Sequence, residues 1–98
     1  MYIIRFSKQA DKDKKSLKEA GLDSKAKNLL NIIAENPFQN PPPYEGLVGN
    51  LNGYYSRRIN IQHRLVYQVY NEQVVIDGKE YEGTIKIVRM WSHYNSVR

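Results

Sequence analysis

The 98-residue chain contains no cysteine, which excludes a disulfide framework and a thiolate zinc site. Its two histidines, His63 and His93, stand far apart with no H-x-E-type cluster beside them, so no metal or other cofactor is expected. No apolar run approaches the ~20 residues needed to span a bilayer, and the opening "MYIIRF" is too short for a signal peptide. A cytoplasmic protein without membrane contact is the expectation. Proline is missing except in "PFQNPPPYEGL", where all four fall between Pro37 and Pro43. The fourth absence is local. From Gly46 to Asn71 there is no Asp or Glu, yet "GYYSRRINIQHRLVYQVY" carries Arg57, Arg58, His63 and Arg64. A β-prone segment whose arginines lack neighbouring carboxylates is either a solvated edge or a surface for an anion.

What is present fits one domain over 1–98, since domains cluster at roughly 100–150 residues. The net charge is +5, with 15 Lys+Arg against 10 Asp+Glu. Its distribution is uneven: in residues 71–83, four acids against Lys79 leave −3, so the rest of the chain carries +8. Excess positive charge suits nucleic acid, an anionic membrane or an acidic partner through long-range attraction.

Hydrophobic patterning indicates an α+β domain. "YIIRF" reads as a strand, Ser7 as the cap of a helix ending at Gly21, and Asp23 or Ser24 as the cap of a second helix. Ala10, Leu17 and Ala20 give the first helix a thin apolar stripe, and its lysines read as a solvated face. Leu22, Ala26, Leu29, Leu30 and Ile33 give the second a fuller one, stopped at Asn36-Pro37. The prolines then form a stiff connector that mounts Tyr44 and Glu45 beside a sheet. Three further β segments are expected: 54–61, 64–70 and 83–94, the last apolar on both sides and hence interior. Between them "VVIDGKEY" signals a tight hairpin. The order β-α-α-β-β-β places a helical hairpin on one face of a mainly antiparallel sheet. That face takes Ile59, Leu65 and Tyr67, with Ile61 in the same alternation. The other is left for Arg58 and Arg64, which share it only if the loop between their strands holds an odd number of residues.

Cutting RNA without a metal uses the ribose 2′-OH as nucleophile. The protein must supply a base for that proton, an acid for the 5′-oxygen leaving group, and a cation where charge builds on the phosphate. Glu45, His63, His93, Arg57, Arg58 and Arg64 are the available residues of those types. Singly, each is ordinary. A Glu after prolines is commonly a solvated loop residue, a strand Arg packs its stem over neighbours, and Tyr54, Tyr55 or Trp91 belongs more often to a core or edge.

Together, "NLNGYYSRRINIQHRLVYQV", the upstream "YEGL" and the near-terminal "WSHY" resemble the YoeB/Txe branch of RelE-type bacterial toxins. That branch shows a Glu shortly before N-L-x-G-x-x-S-R-R-I, then H-R-L-V-Y, then a closing His-Tyr. The similarity runs from Glu45 to Tyr94; the first 40 residues match in strand–helix–helix order. The chain departs from the pattern at Val48, where several relatives carry Lys, in the acidic insertion 71–83, and in the tail 95–98. The resemblance implies a RelE-like fold and a ribosome-dependent endoribonuclease cleaving mRNA in the A site. It also implies a YefM/Axe-like antitoxin as partner, with assembly as a homodimer or a toxin–antitoxin hetero-oligomer. Glu45 would be the general base and His93 the general acid. Arg64 would stabilise the phosphate, supported by Arg58, and Tyr94 would position RNA or the acid. Tyr54 and Arg57 are candidates beside Arg58 for binding substrate. The apolar pattern sets Arg57 near a sheet end, on the helix-covered side or packed across its margin, with a role mainly in stability. His63 reads as structural, closing the hairpin. Two alternatives stay open: a ParE-like or non-catalytic relative of the same fold, and a small RNA-binding module using arginines and tyrosines without cleavage.

Overall fold

Ser7 sets the first change of direction. Its hydroxyl accepts from the Ala10 amide at 3.0 Å and donates to the Val88 carbonyl at 2.9 Å, so one side chain caps a helix and ties it to the sheet. In the computed structural model, which describes residues 1–91, β1 (Tyr2–Phe6) therefore passes directly into α1 (Lys8–Glu19). Gly21, at φ 73°, turns the chain in the left-handed region open to glycine, while the Leu22 amide bonds back to Leu17. α2 (Asp23–Glu35) follows at once. Its N-cap is Leu22, without a side-chain cap, rather than the expected Asp23 or Ser24, because the closing turn already delivers Asp23 into the helix.

A two-residue strand β2 (Glu45–Gly46) and a short 3₁₀ turn at Gly49–Leu51 lead to β3 (Tyr54–Arg58) and β4 (Arg64–Tyr70). β5 (Val74–Ile76) and β6 (Lys79–Tyr81) form a separate hairpin, turned at Asp77-Gly78 with positive φ at both residues. β7 (Gly83–Arg89) returns to the main sheet, whose order is β1-β7-β4-β3-β2. Among the described residues β1 pairs with β7 in parallel, and the other pairs of the sheet are antiparallel. β7 is interior, as its two apolar sides require, although it ends at Arg89 rather than extending to residue 94.

The helices pack on one face, α1 against β7 and α2 against β1. Ala10, Leu17, Ala26, Leu29 and Ile33 meet Leu65, Tyr67, Ile85, Ile87 and Met90. In α1 the buried residues are Ala10, Asp13 and Leu17; Ala20 is exposed, so a carboxylate takes the place expected of an alanine.

Ile61 is likewise misplaced by the alternation. β3 stops at Arg58 and Ile61 lies 85% exposed in the loop. The Asn60 carboxamide accepts from the amides of Gln62 and His63 at 3.0 and 2.7 Å, and the His63 carbonyl accepts from Ile59 and Asn60. Backbone groups that would extend the strands are consumed inside the turn.

Candidate active site

The register answers the question of the two arginines. Residues 59–63 separate β3 from β4, an odd loop, and Arg58 pairs directly with Arg64. Both therefore point away from the helices, with Tyr54 and Ser56 of β3 and Val66 and Gln68 of β4. β2 adds Glu45 opposite Ser56 on the sheet edge. Long side chains bridge such cross-strand and diagonal neighbours.

The centre of this arrangement is the Arg64 guanidinium, only 6% exposed. Its Nε donates to Ser56 Oγ at 2.9 Å and its Nη2 to Glu45 Oε2 at 3.2 Å. Ser56 is fully buried, whereas the Glu45 side chain is half exposed. The surface expected for the arginines is thus a groove with one buried cation at its base. Pro43, Tyr44, Glu45, Arg58 and Arg64 line it, around a volume of about 470 Å³. Arg58 is exposed at the rim, and Tyr54 is half-buried further along β3.

Arg57 does not belong to this groove. It is 0% exposed and points to the helix-covered side, opposite Leu65, as the apolar pattern expects, and so does not line the surface on which Arg58 and Tyr54 could meet a substrate. Its Nε donates to the Tyr67 hydroxyl at 3.1 Å, Nη2 to the carbonyls of Pro37 and Gln39 at 3.0 and 2.8 Å, and Nη1 to that of Pro42. The Tyr67 hydroxyl donates in turn to Pro37 at 2.8 Å. Burial pushes the Tyr67 phenol above its ordinary value, and the Arg57 charge only partly offsets this. Phe38, Tyr44, Tyr55 and Tyr67 pack edge-on or tilted around the same point. The proline segment is a mount, and Arg57 is what holds it.

His63 is buried, closes the β3–β4 loop through its backbone, and stacks on Trp91 at 3.7 Å and 17°. His93, Tyr94 and the tail 95–98 lie outside the described residues. Among the described residues, no three His, Asp or Glu side chains converge as metal ligands. Two contributors escaped the sequence reading. Ser56 had a usable signal, since it shares the alternation of Arg58; Asp13 had none, because its partners lie at the other end of the chain.

The two-layer α+β fold with a groove on the helix-free face has solved counterparts. A YoeB/ParE toxin from Agrobacterium tumefaciens superimposes with a TM-score of 0.77 over 94% of this chain and 99% of that one, at 23% identity. At that identity the likeness is one of fold. A YoeB–YefM complex from Staphylococcus aureus contributes a chain that is 37% identical, with a TM-score of 0.69 over 96% of this chain and 99% of that one. Toxin YoeB of Synechocystis sp. is 44% identical over 64 residues, 65% of this chain and 67% of that protein. The model of the YoeB-like toxins of bacterial type II toxin–antitoxin systems matches residues 6–94, reaching through the helical hairpin. The chain belongs to that family.

Proposed function

We propose that this chain is a ribosome-dependent, metal-independent endoribonuclease that cleaves mRNA in the A site by attack of the 2′-OH and so stops translation. The observation that carries this reading is the pairing of Glu45 with Arg64 at 3.2 Å in one groove, with Arg58 at its rim. Phosphate oxygens compete with the Glu45 carboxylate for the same guanidinium edge. When the scissile phosphate takes Arg64 Nη2, Glu45 is released to accept the 2′-OH proton while the 2′-oxygen forms its bond to phosphorus. Arg64, held by Ser56, stays aimed at the non-bridging oxygens as their charge grows, and Arg58 adds a second cation. The bond to the 5′-oxygen breaks, and His93 donates the proton that this leaving group needs, with Tyr94 positioning the RNA or the acid. The products are a 2′,3′-cyclic phosphate and a free 5′-hydroxyl. Tyr54 flanks the path of the RNA on β3.

A positively charged groove of this kind is silenced most simply by a flexible acidic chain. The partner in that role is a YefM/Axe-like antitoxin, assembling with the toxin as a hetero-oligomer, alongside a toxin homodimer. Coupled folding and binding suits it, because a disordered segment covers a large surface. The test is in-vitro translation with purified protein, mapping mRNA ends by primer extension. Cuts at the A-site codon are expected; intact mRNA under continued translation sinks the nuclease reading. Binding of RNA without cuts would favour the RNA-binding alternative.

A further inference from the structure

Asp13 is a buried titratable group that the proposed chemistry leaves unused. It sits on α1 between Ala10 and Leu17 and is 2% exposed. Its Oδ2 accepts from the backbone amides of Met90 and Trp91 at 2.8 and 3.1 Å and from Arg89 Nε at 3.1 Å. Its Oδ1 accepts from Gln9 Nε2 at 3.0 Å. Arg89 Nη2 also donates to the Trp91 carbonyl at 2.7 Å, so the backbone of Trp91 is gripped at both its amide and its carbonyl. The sheet ladder has ended at Arg89, and a carboxylate satisfies the amides that follow. Hydrogen bonds to an ionised acceptor are roughly twice as strong as neutral ones. The Trp91 ring lies flat on His63, whose carbonyl closes the β3–β4 loop and whose next residue is Arg64.

We propose that Asp13 is a positioning residue of the active site. Its carboxylate fixes the exit of β7 so that Trp91 seats on His63, whose backbone closes the loop leading directly into Arg64. The link to catalysis rests on the nuclease reading above; the seating of Trp91 does not. A merely structural carboxylate would affect stability and nothing else. A positioning carboxylate alters the environment of Trp91 and the chemical step while substrate binding persists, because small displacements of reacting groups cost rate steeply.

Trp91 is the single tryptophan of the chain, so its fluorescence reports the seat directly. The test compares wild type with Asp13→Asn, which keeps the shape and removes the charge, and with Asp13→Glu. Expected for Asp13→Asn are red-shifted Trp91 emission, greater quenching by acrylamide, and kcat on programmed ribosomes lower by roughly 10- to 100-fold. KM should stay within about twofold, since ground-state binding is untouched. Asp13→Glu should restore both properties in part. Folded Asp13→Asn protein with wild-type emission and quenching overturns the proposal, as does displaced Trp91 with unchanged kcat. If Asp13→Asn does not fold, Arg89→Ala replaces it, removing the strut to the Trp91 carbonyl at a half-buried position. Wild-type quenching and kcat in that variant likewise overturn the proposal. A wild-type protein that leaves mRNA intact overturns the nuclease reading, and with it the catalytic link; the fluorescence comparison still decides the seat.

Discussion

Arg57 and Arg64 are two buried guanidinium groups on paired strands, and they are put to opposite uses. Arg57 is sealed: its donors are spent on three carbonyls of the proline segment and the Tyr67 hydroxyl, with its charge over the Tyr44 ring at 5.1 Å from the centroid. Among the described residues its hydrogen-bond acceptors are all neutral, so its charge is solvated by oriented dipoles rather than by an acid. Arg64 keeps one edge on Ser56 and offers the other to a half-exposed carboxylate at the lip of a groove. On the proposed reading a phosphate displaces Glu45 from Arg64; nothing displaces four internal acceptors from Arg57 without opening the molecule. The same residue type is therefore a fastener on one face and, on the proposed reading, an anion receptor on the other, separated by the alternation of side chains along paired strands.

The widest separation should appear in activity. Glu45→Gln and Arg64→Ala are expected to reduce mRNA cleavage by ~10²–10⁴-fold, the range for losing a positioned proton acceptor or a transition-state cation. Melting temperatures should change little for Glu45→Gln, since that side chain is half exposed. Arg58→Ala should fall between these variants and wild type, because an exposed rim cation is screened by water. Lys at position 64 should recover activity only in part, since a point charge lacks the planar fork that holds Ser56 and a phosphate oxygen together. Cleavage rates on programmed ribosomes decide the order, and full activity in Glu45→Gln would remove the base assignment.

Arg57→Ala tests the other half. Truncation leaves buried carbonyls and a phenol without their donor, a loss of about 3 kcal/mol for hydrogen bonds to a charged group. In a domain of this size each 1 kcal/mol lowers Tm by ~4–8 °C, so a fall of roughly 12–24 °C is expected. Below the transition, cleavage should drop far less than in Arg64→Ala. Thermal melts followed by circular dichroism, with rates taken on the folded protein, make the comparison. A variant with wild-type Tm and no cleavage would place Arg57 in the chemistry and invert the comparison.

Much of this arrangement can be read from the chain, for local reasons. Ser7, Gly21, Asn36-Pro37 and Asp77-Gly78 act within a few residues of themselves, so the helices and the outer hairpin follow from nearest-neighbour chemistry. The shared face of Arg58 and Arg64 hung on the parity of one loop, and Asn60 decides it by folding its carboxamide onto the backbone. β2 was illegible because a two-residue strand has no period, and its existence depends on pairing with β3. Asp13 was illegible for the opposite reason. Set in the lysine-rich run "DKDKK", it looks solvated, while the amides that bury it belong to Met90 and Trp91. Arg57 shows that residue type cannot separate receptor from fastener until the segment covering it is located.

Ser56→Ala sharpens the comparison on a smaller scale. The substitution removes the acceptor of Arg64 Nε at a site with almost no solvent. About tenfold slower cleavage is expected, equivalent to ~1.4 kcal/mol, near the lower bound for a hydrogen bond to a charged group. Ser56→Thr keeps a hydroxyl and should lose less. Equal rates for Ala and wild type would mean that the Ser56 hydroxyl does not aim the guanidinium.

The smallest effect should come from acid, and it extends the comparison to a buried group of opposite sign. Burial pushes the Asp13 carboxyl up, but donors from Met90, Gln9, Trp91 and Arg89 together outweigh it and hold the carboxyl below its ordinary 3.8. A carboxyl depressed in the folded state binds protons more readily when unfolded. Its stabilisation is therefore complete above the unfolded value and lost as pH falls through the lower folded value. Between pH 5 and pH 3, wild type should lose more stability than Asp13→Asn, so the two Tm curves converge as acid is added. Parallel curves over that interval would show that Asp13 carries no proton-linked stability, and that its grip on the exit of β7 rests on shape rather than charge.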